Sequence, residues 1–106
     1  MTKTEIYFGL CYPTENEPIS DVVFNDFIQQ TVVPRFDAFT ILSGQGCWKG
    51  KFEPCKILVI IADDYDFLDP RIRETSIKID KIREVYRRRF HQESVMCVNS
   101  HVDVAF

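Results

Sequence analysis

Glu53, Lys56, Arg35, Gln92 and Glu93 are the polar residues whose positions the hydrophobic pattern of this chain does not explain. Glu53 and Lys56 open an apolar strand. Three residues apart, they point to opposite faces of a regular strand. The carboxylate could act as a general acid or base, and the lysine could anchor an anion. The alternative is a solvated ion pair at the strand's edge, worth about 0–1 kcal/mol. Arg35 follows Pro34 at a helix end. It can clamp a carboxylate or phosphate through two parallel bonds, or donate to carbonyls that the ending helix leaves unpaired. Gln92, Glu93 and Ser94 set an amide, a carboxylate and a hydroxyl between a helix and a strand. They offer a site, or they satisfy backbone groups at that corner. A Glu93–Arg35 pair is one arrangement the pattern allows. Tyr7 and Trp48 complete the ligand-binding candidates.

Other chemistries find little support. His91 and His101 fit no zinc spacing and no His-Glu-x-x-His pattern, so no metal is expected. No nucleophile elbow is visible. Gly44-x-Gly46 lacks the third glycine and the helix of a dinucleotide loop, and no cofactor is implied. Asp63-Asp64-Tyr65-Asp66 lacks the central glycine and closing glutamate of a calcium loop. Cys11, Cys47, Cys55 and Cys97 form no Cys-x-x-Cys pair and read as free thiols. Cys47 and Cys55 flank a turn, but a disulfide between them is disfavoured without an export signal.

These residues need elements to hold them. Ile6, Phe8 and Leu10 alternate with Tyr7, Gly9 and Cys11, predicting a first strand over 4–12. Ser20 is a good helix N-cap, with Ile19 placed to staple onto Phe24. Val23, Phe24, Phe27, Ile28 and Thr31 recur at helical spacing until Pro34. A second strand begins at Phe39 and runs through two glycines toward Trp48. Lys49-Gly50-Lys51 is the turn into a third strand, 52–62. Asp69 and Pro70 suit a helix start, followed by a stripe of Ile72, Thr75, Ile79, Ile82, Tyr86 and Phe90. Arg87, Arg88 and Arg89 end that helix, where positive charge complements its dipole. A fourth strand spans 94–98, and residues 99–106 prolong it or form a short fifth strand. The order is βαββαβ. It predicts an α+β, ferredoxin-like split βαβ fold, a four-stranded antiparallel sheet with two helices on one face, as a single domain over 1–106.

Composition narrows the partners. Net charge is −3 and acidic residues interleave with the basic cluster, which argues against nucleic acid. The longest apolar run, Ile57 to Ala62, is too short to cross a bilayer, so no membrane partner is expected. Met1 to Glu5 leads directly into a strand pattern without a signal core, pointing to the cytoplasm. Ile57 through Ile61 are apolar on both faces, whereas helices cover one face only. A second copy covering the other face, a homodimer, is the simplest expectation.

Five stretches together resemble a bacterial family of small uncharacterised proteins, domain-of-unknown-function family number 3574. They are Glu5-Ile6-Tyr7-Phe8-Gly9-Leu10, Val33-Pro34-Arg35-Phe36, Gly46-x-Trp48, Glu53-x-x-Lys56 and Tyr86-x-x-x-Phe90-x-Gln92-Glu93-Ser94-Val95. The match covers about 4–98. Many members resemble exported lipoproteins, and this chain departs by lacking the signal. Cys55 stands where the family typically has serine. The resemblance supports the element order and implies no activity.

Three functions stay open. The first is a homodimeric module that binds a small molecule or serves assembly. The second is a small enzyme with Glu53 or Glu93 as acid or base and Arg35 or Lys56 as anion anchor. The third is a structural or regulatory protein-interaction subunit.

Overall fold

The computed structural model describes residues 1–63 and 74–106. The main elements are β1 (Thr2–Gly9), α1 (Asp21–Phe27), β4 (Thr40–Trp48), β5 (Lys51–Ala62), α2 (Glu74–Arg89) and β6 (Met96–His101). A two-residue pairing joins β2 (Cys11–Tyr12) to β3 (Glu17–Pro18). The four long strands lie in the order β4-β5-β1-β6, all antiparallel. This is the ferredoxin-like sheet, with its two central strands contributed by different halves of the chain.

Strand alternation divides the side chains between two faces. Ile6, Phe8, Leu58 and Ile60 point under the helices and are buried. Phe24, Phe27, Ile79, Ile82, Tyr86 and Phe90 come down on them. Aromatic rings centre this core: Phe8, Phe27 and Phe90 all lie within 5.5 Å of the Tyr86 ring. The Tyr86 hydroxyl donates to the Gly9 carbonyl, pinning α2 to the end of β1. Burial pushes that phenol's pKa up, so it stays a donor at any physiological pH.

Local rules account for most boundaries. Ser20 Oγ accepts from the Val23 amide at 3.2 Å, and Ile19 and Phe24 are both buried. Before Pro34 the helix widens into a π turn over Ile28–Val32, with the Val33 amide reaching the Ile28 carbonyl at 3.0 Å. The first strand stops at Gly9, short of the predicted Tyr12. The register would next face Leu10 with Pro54, which has no amide to donate; the Leu10 amide makes one bond to the Pro54 carbonyl and the ladder ends. The last strand starts two residues later than the pattern suggested and runs through Asn99-Ser100 to His101. Residues 102–106 form no fifth strand. The expected helix start at Asp69, Pro70 and Ile72, and Asp64, Tyr65 and Asp66 of the acidic loop, lie outside the described residues.

Beyond Cys55, β5 loses β1 as a neighbour. Lys51–Pro54 pair only with Gln45–Trp48, so the β4–β5 hairpin projects as a two-stranded arm of about 13 Å. Lys49 and Gly50 close it with φ of 49° and 80°, the positive pair that a two-residue hairpin turn requires. Trp48 is 75% exposed and Phe52 65% exposed, on opposite faces of the arm. The two sheet edges, β4 and β6, contain no lysine, arginine, carboxylate or proline.

Replacing Tyr86 by phenylalanine should cost about 1 kcal/mol by removing the donor to the half-buried Gly9 carbonyl. Urea denaturation monitored by circular dichroism should show the loss, with an unchanged native spectrum.

Candidate functional site

The sequence candidates do not converge on one place. Arg35 sits at the end of the π turn and donates from Nη1 to the Thr31 carbonyl at 2.8 Å. It lines a cavity of about 470 Å³ with Pro34, Ile61 and Lys78. Glu93 lines a separate cavity of about 390 Å³ with Asp80, Arg83, Glu84, Arg87 and Ser94. Arg35 packs near Ile61, which faces Lys3, whereas β6 enters the sheet beside Tyr7, at the other end of β1. The Glu93–Arg35 pair is therefore not formed.

Gln92 resolves as a corner residue. Its Nε2 donates to the carbonyls of Cys11 and Phe90, each at 2.9 Å. Its Oε1 lies where a Cβ on Gly9 would come within 3.2 Å, so a side chain at that position would push on the Gln92 amide. His91, at φ 55°, ends α2 in the left-handed region and meets Glu15 at 2.9 Å. Lys56 bonds Ser43 at 2.7 Å on the helix side of the sheet, opposite in facing to Glu53. That separation follows the alternation expected from sequence.

Tyr7, Trp48 and Glu53 do come together. They line a trough of about 260 Å³ on the open face, with Gly9, Gly46, Cys47, Lys51, Pro54, Cys55 and Met96. The arm forms one wall and the ends of β1 and β6 the other. Gly46 has no backbone or side-chain atom closer than 4.0 Å to where its Cβ would stand, so glycine there keeps the floor low rather than relieving a clash. Gly44 differs: a Cβ would meet Cys55 Sγ at 3.2 Å and Ile57 Cδ1 at 3.3 Å. Trp48 offers an exposed ring with Lys49 Nζ 5.5 Å from its centroid. Met96, 55% exposed, supplies a polarisable thioether opposite. Glu53 is half-buried, with Lys51 at 3.4 Å, and is the trough's carboxylate. The Tyr7 hydroxyl donates to Glu5 at 2.7 Å. That bond holds Glu5 below the usual carboxylate range and pushes the Tyr7 phenol up. The trough thus offers flat apolar surfaces and one acid, the equipment for holding a planar ligand with a polar or cationic substituent.

The second polar cluster joins Glu93, a candidate from the sequence, to the basic end of α2. Arg83 donates through Nε and Nη2 to the Val95 carbonyl at 3.0 and 2.8 Å, holding β6 to α2. Arg87 and Arg88 both donate to Glu84, at 2.9 and 2.6 Å. Their guanidinium groups lower the Glu84 pKa from 4.5 to about 2. Arginines already engaged this way bind structure before they bind a ligand. The i, i+3 and i, i+4 spacing of Glu84 to Arg87 and Arg88 was the available signal.

All four cysteines are free thiols. Among the described residues no three His, Cys, Asp or Glu side chains gather to hold a metal ion. No described helix is long and apolar enough to cross a membrane.

Comparison with known proteins fits this geometry into a family. The model of the family described as protein of unknown function (DUF3574) matches residues 3–106. The chain belongs to that family. No curated protein matches it. Among solved structures it is similar to a phage SAM lyase in complex with S-methyl-5'-thioadenosine, at 18% identity and TM-score 0.65, covering 93% of this chain and 79% of that one. It is also similar to a phage SAM lyase in the apo state, at 20% identity and TM-score 0.66, covering 93% and 78%. At these identities the likeness is one of fold.

Glu84 gives a pH prediction. Its folded pKa lies below the unfolded value, so its contribution is complete above about pH 4.5 and is lost as pH falls toward about 2. Chemical denaturation from pH 6 to pH 2 should show the gap between wild type and Glu84→Gln closing across that window.

Proposed function

We propose that this protein is a homodimeric small-ligand-binding domain whose ligand lies in the trough between the β4–β5 arm and the ends of β1 and β6. The observation that carries the reading is the meeting of Tyr7, Trp48, Met96 and Glu53 around one open-face cavity. They come from four different strands or strand ends, and no core requirement explains Trp48 standing 75% exposed there. Ligand sites commonly combine apolar and aromatic walls with a few placed polar groups. The open face beside the trough, with Leu42 48% exposed and Ile57 and Val59 half-buried, supports covering by a second copy.

The ligand class this chemistry favours is a flat heteroaromatic with a polar or cationic arm. The phage SAM lyase of similar fold is bound to S-methyl-5'-thioadenosine, an adenine thioether of that shape, which makes it a reasoned probe. A second reading gives Glu53 the role of a base on such a ligand; it draws on the lyase name of those neighbours and on Glu53 being the carboxylate that lines the trough.

Thermal shift and Trp48 fluorescence with S-methyl-5'-thioadenosine test the binding reading. A ligand at about one hundred times its Kd stabilises by about 2.7 kcal/mol, a shift of several degrees in a domain this size. Trp48→Ala should weaken binding about tenfold or more by removing a stacking surface worth about 1–3 kcal/mol. Unchanged melting and fluorescence at millimolar probe would reject this ligand class. Breakdown of SAM to S-methyl-5'-thioadenosine, abolished in Glu53→Gln with binding of the thioether retained, would favour the second reading.

A further inference from the structure

The open face is charged along its centre, and its flanks are mainly apolar, with Thr40 and Ser100 the polar residues among them. Leu42 on β4, Ile57 and Val59 on β5 and Val98 on β6 share this face. The strand between β5 and β6 is β1, and it presents Lys3, Glu5 and Tyr7. Lys3 Nζ lies 3.6 Å from Glu5, whose other oxygen accepts from Tyr7. Covering the flanks with a second sheet also covers this stripe, and the 3.6 Å pair within one chain is too loose to offset its own desolvation without further opposite charge close by.

A twofold interface is self-complementary: what residue i meets, j meets in return. Lys3 and Glu5 are two residues apart on one face, so symmetry restricts where the axis can fall. An axis at Glu5 sets two carboxylates against each other, and an axis at Lys3 sets two ammonium groups together. An axis at Thr4 sets each Lys3 over the other copy's Glu5. Stacked sheets lie about 10 Å apart, a gap that a lysine and a glutamate span from opposite sides.

With the axis at Thr4, Thr2–Ile6 of one copy overlie Ile6–Thr2 of the other, and four strands spaced about 4.8 Å with five residues at about 3.3 Å each give a flat footprint of roughly 300 Å² per copy. Even with side-chain relief added, this is a small interface beside the standard of about 800 Å² of accessible surface per partner. Phe106 is fully exposed and lies with Val104 beside Val59 and Ile61, around a cavity of about 320 Å³, adding apolar surface level with that axis.

We propose that two copies pack open face to open face, antiparallel along β1, with Lys3 and Glu5 of each copy paired to Glu5 and Lys3 of the other. This rests on the homodimer reading above and adds its register. Val59 and Val98, level with Glu5, lie inside the contact, whereas Leu42, Ile57 and Met96 lie level with Tyr7 at its rim, so the two troughs stay open at opposite ends of the dimer.

Charge exchange tests it. Wild type, Lys3→Glu, Glu5→Lys and the double swap are compared by light scattering and native mass spectrometry, with circular dichroism confirming each fold. Wild type should be a dimer at micromolar concentration. Each single variant should dimerise about tenfold or more weakly, because like charges face each other. An equimolar mixture of the two single variants, one isotopically labelled, should form heterodimers, and the double swap should form homodimers. Single variants that dimerise like wild type, or a mixture of folded variants that stays monomeric, would overturn the register while leaving the dimer standing. A monomeric wild type would overturn the dimer reading itself.

Discussion

The contact on which the structure depends is that of Tyr86 with the end of β1. Its ring packs between Phe8, Phe27 and Phe90, and its hydroxyl satisfies the carbonyl of Gly9. Gly9 is also the last residue of β1 to pair with β5. One side chain therefore ties the second helix to the place where the central strand stops. Everything that makes the trough begins there: β1 ends, the arm continues alone, and Gln92 closes the corner behind it.

The division of labour between the two faces follows from this. The helix side is saturated with rings and branched aliphatics, and its polar groups have structural partners. No described helix covers the open side, yet β5 sends Ile57, Val59 and Ile61 there. A sequence that needed only one buried face would have placed polar residues at those positions. The charged groups on this side are grouped, along β1 and at the mouth of the trough.

Much of the fold was legible in the sequence because local rules and global packing agree. Ser20, Pro34 and the Lys49-Gly50 turn mark boundaries by their own backbone chemistry, and the period of the apolar residues separates helices from strands. The first strand was read too long because its alternation does continue to Tyr12; the limit comes from the partner strand, where Pro54 lacks an amide. The π turn had no local signature. The site was only half legible. Tyr7, Trp48 and Glu53 were nominated separately, but their meeting depends on register, which pairs Gly46 with Glu53 and Met96 with Tyr7. Arg35 and Glu93 seemed related because each follows a helix, yet the two helix ends lie at opposite ends of the sheet. Lys3 and Glu5 carry no functional reading in the sequence; only the strand order shows them at the centre of a face.

The projecting arm has a thermodynamic consequence. A ribbon of two strands, with both aromatic residues outside the core, is marginal by itself in water. Its opening free energy is therefore far below that of the whole domain, and its amides exchange with solvent through local fraying rather than global unfolding. Whatever fills the trough must first quiet this ribbon, and part of the contact energy is spent on ordering it. Association there would show an entropy loss larger than the buried surface alone accounts for, and affinity could be raised without touching the ligand, by stiffening the hairpin.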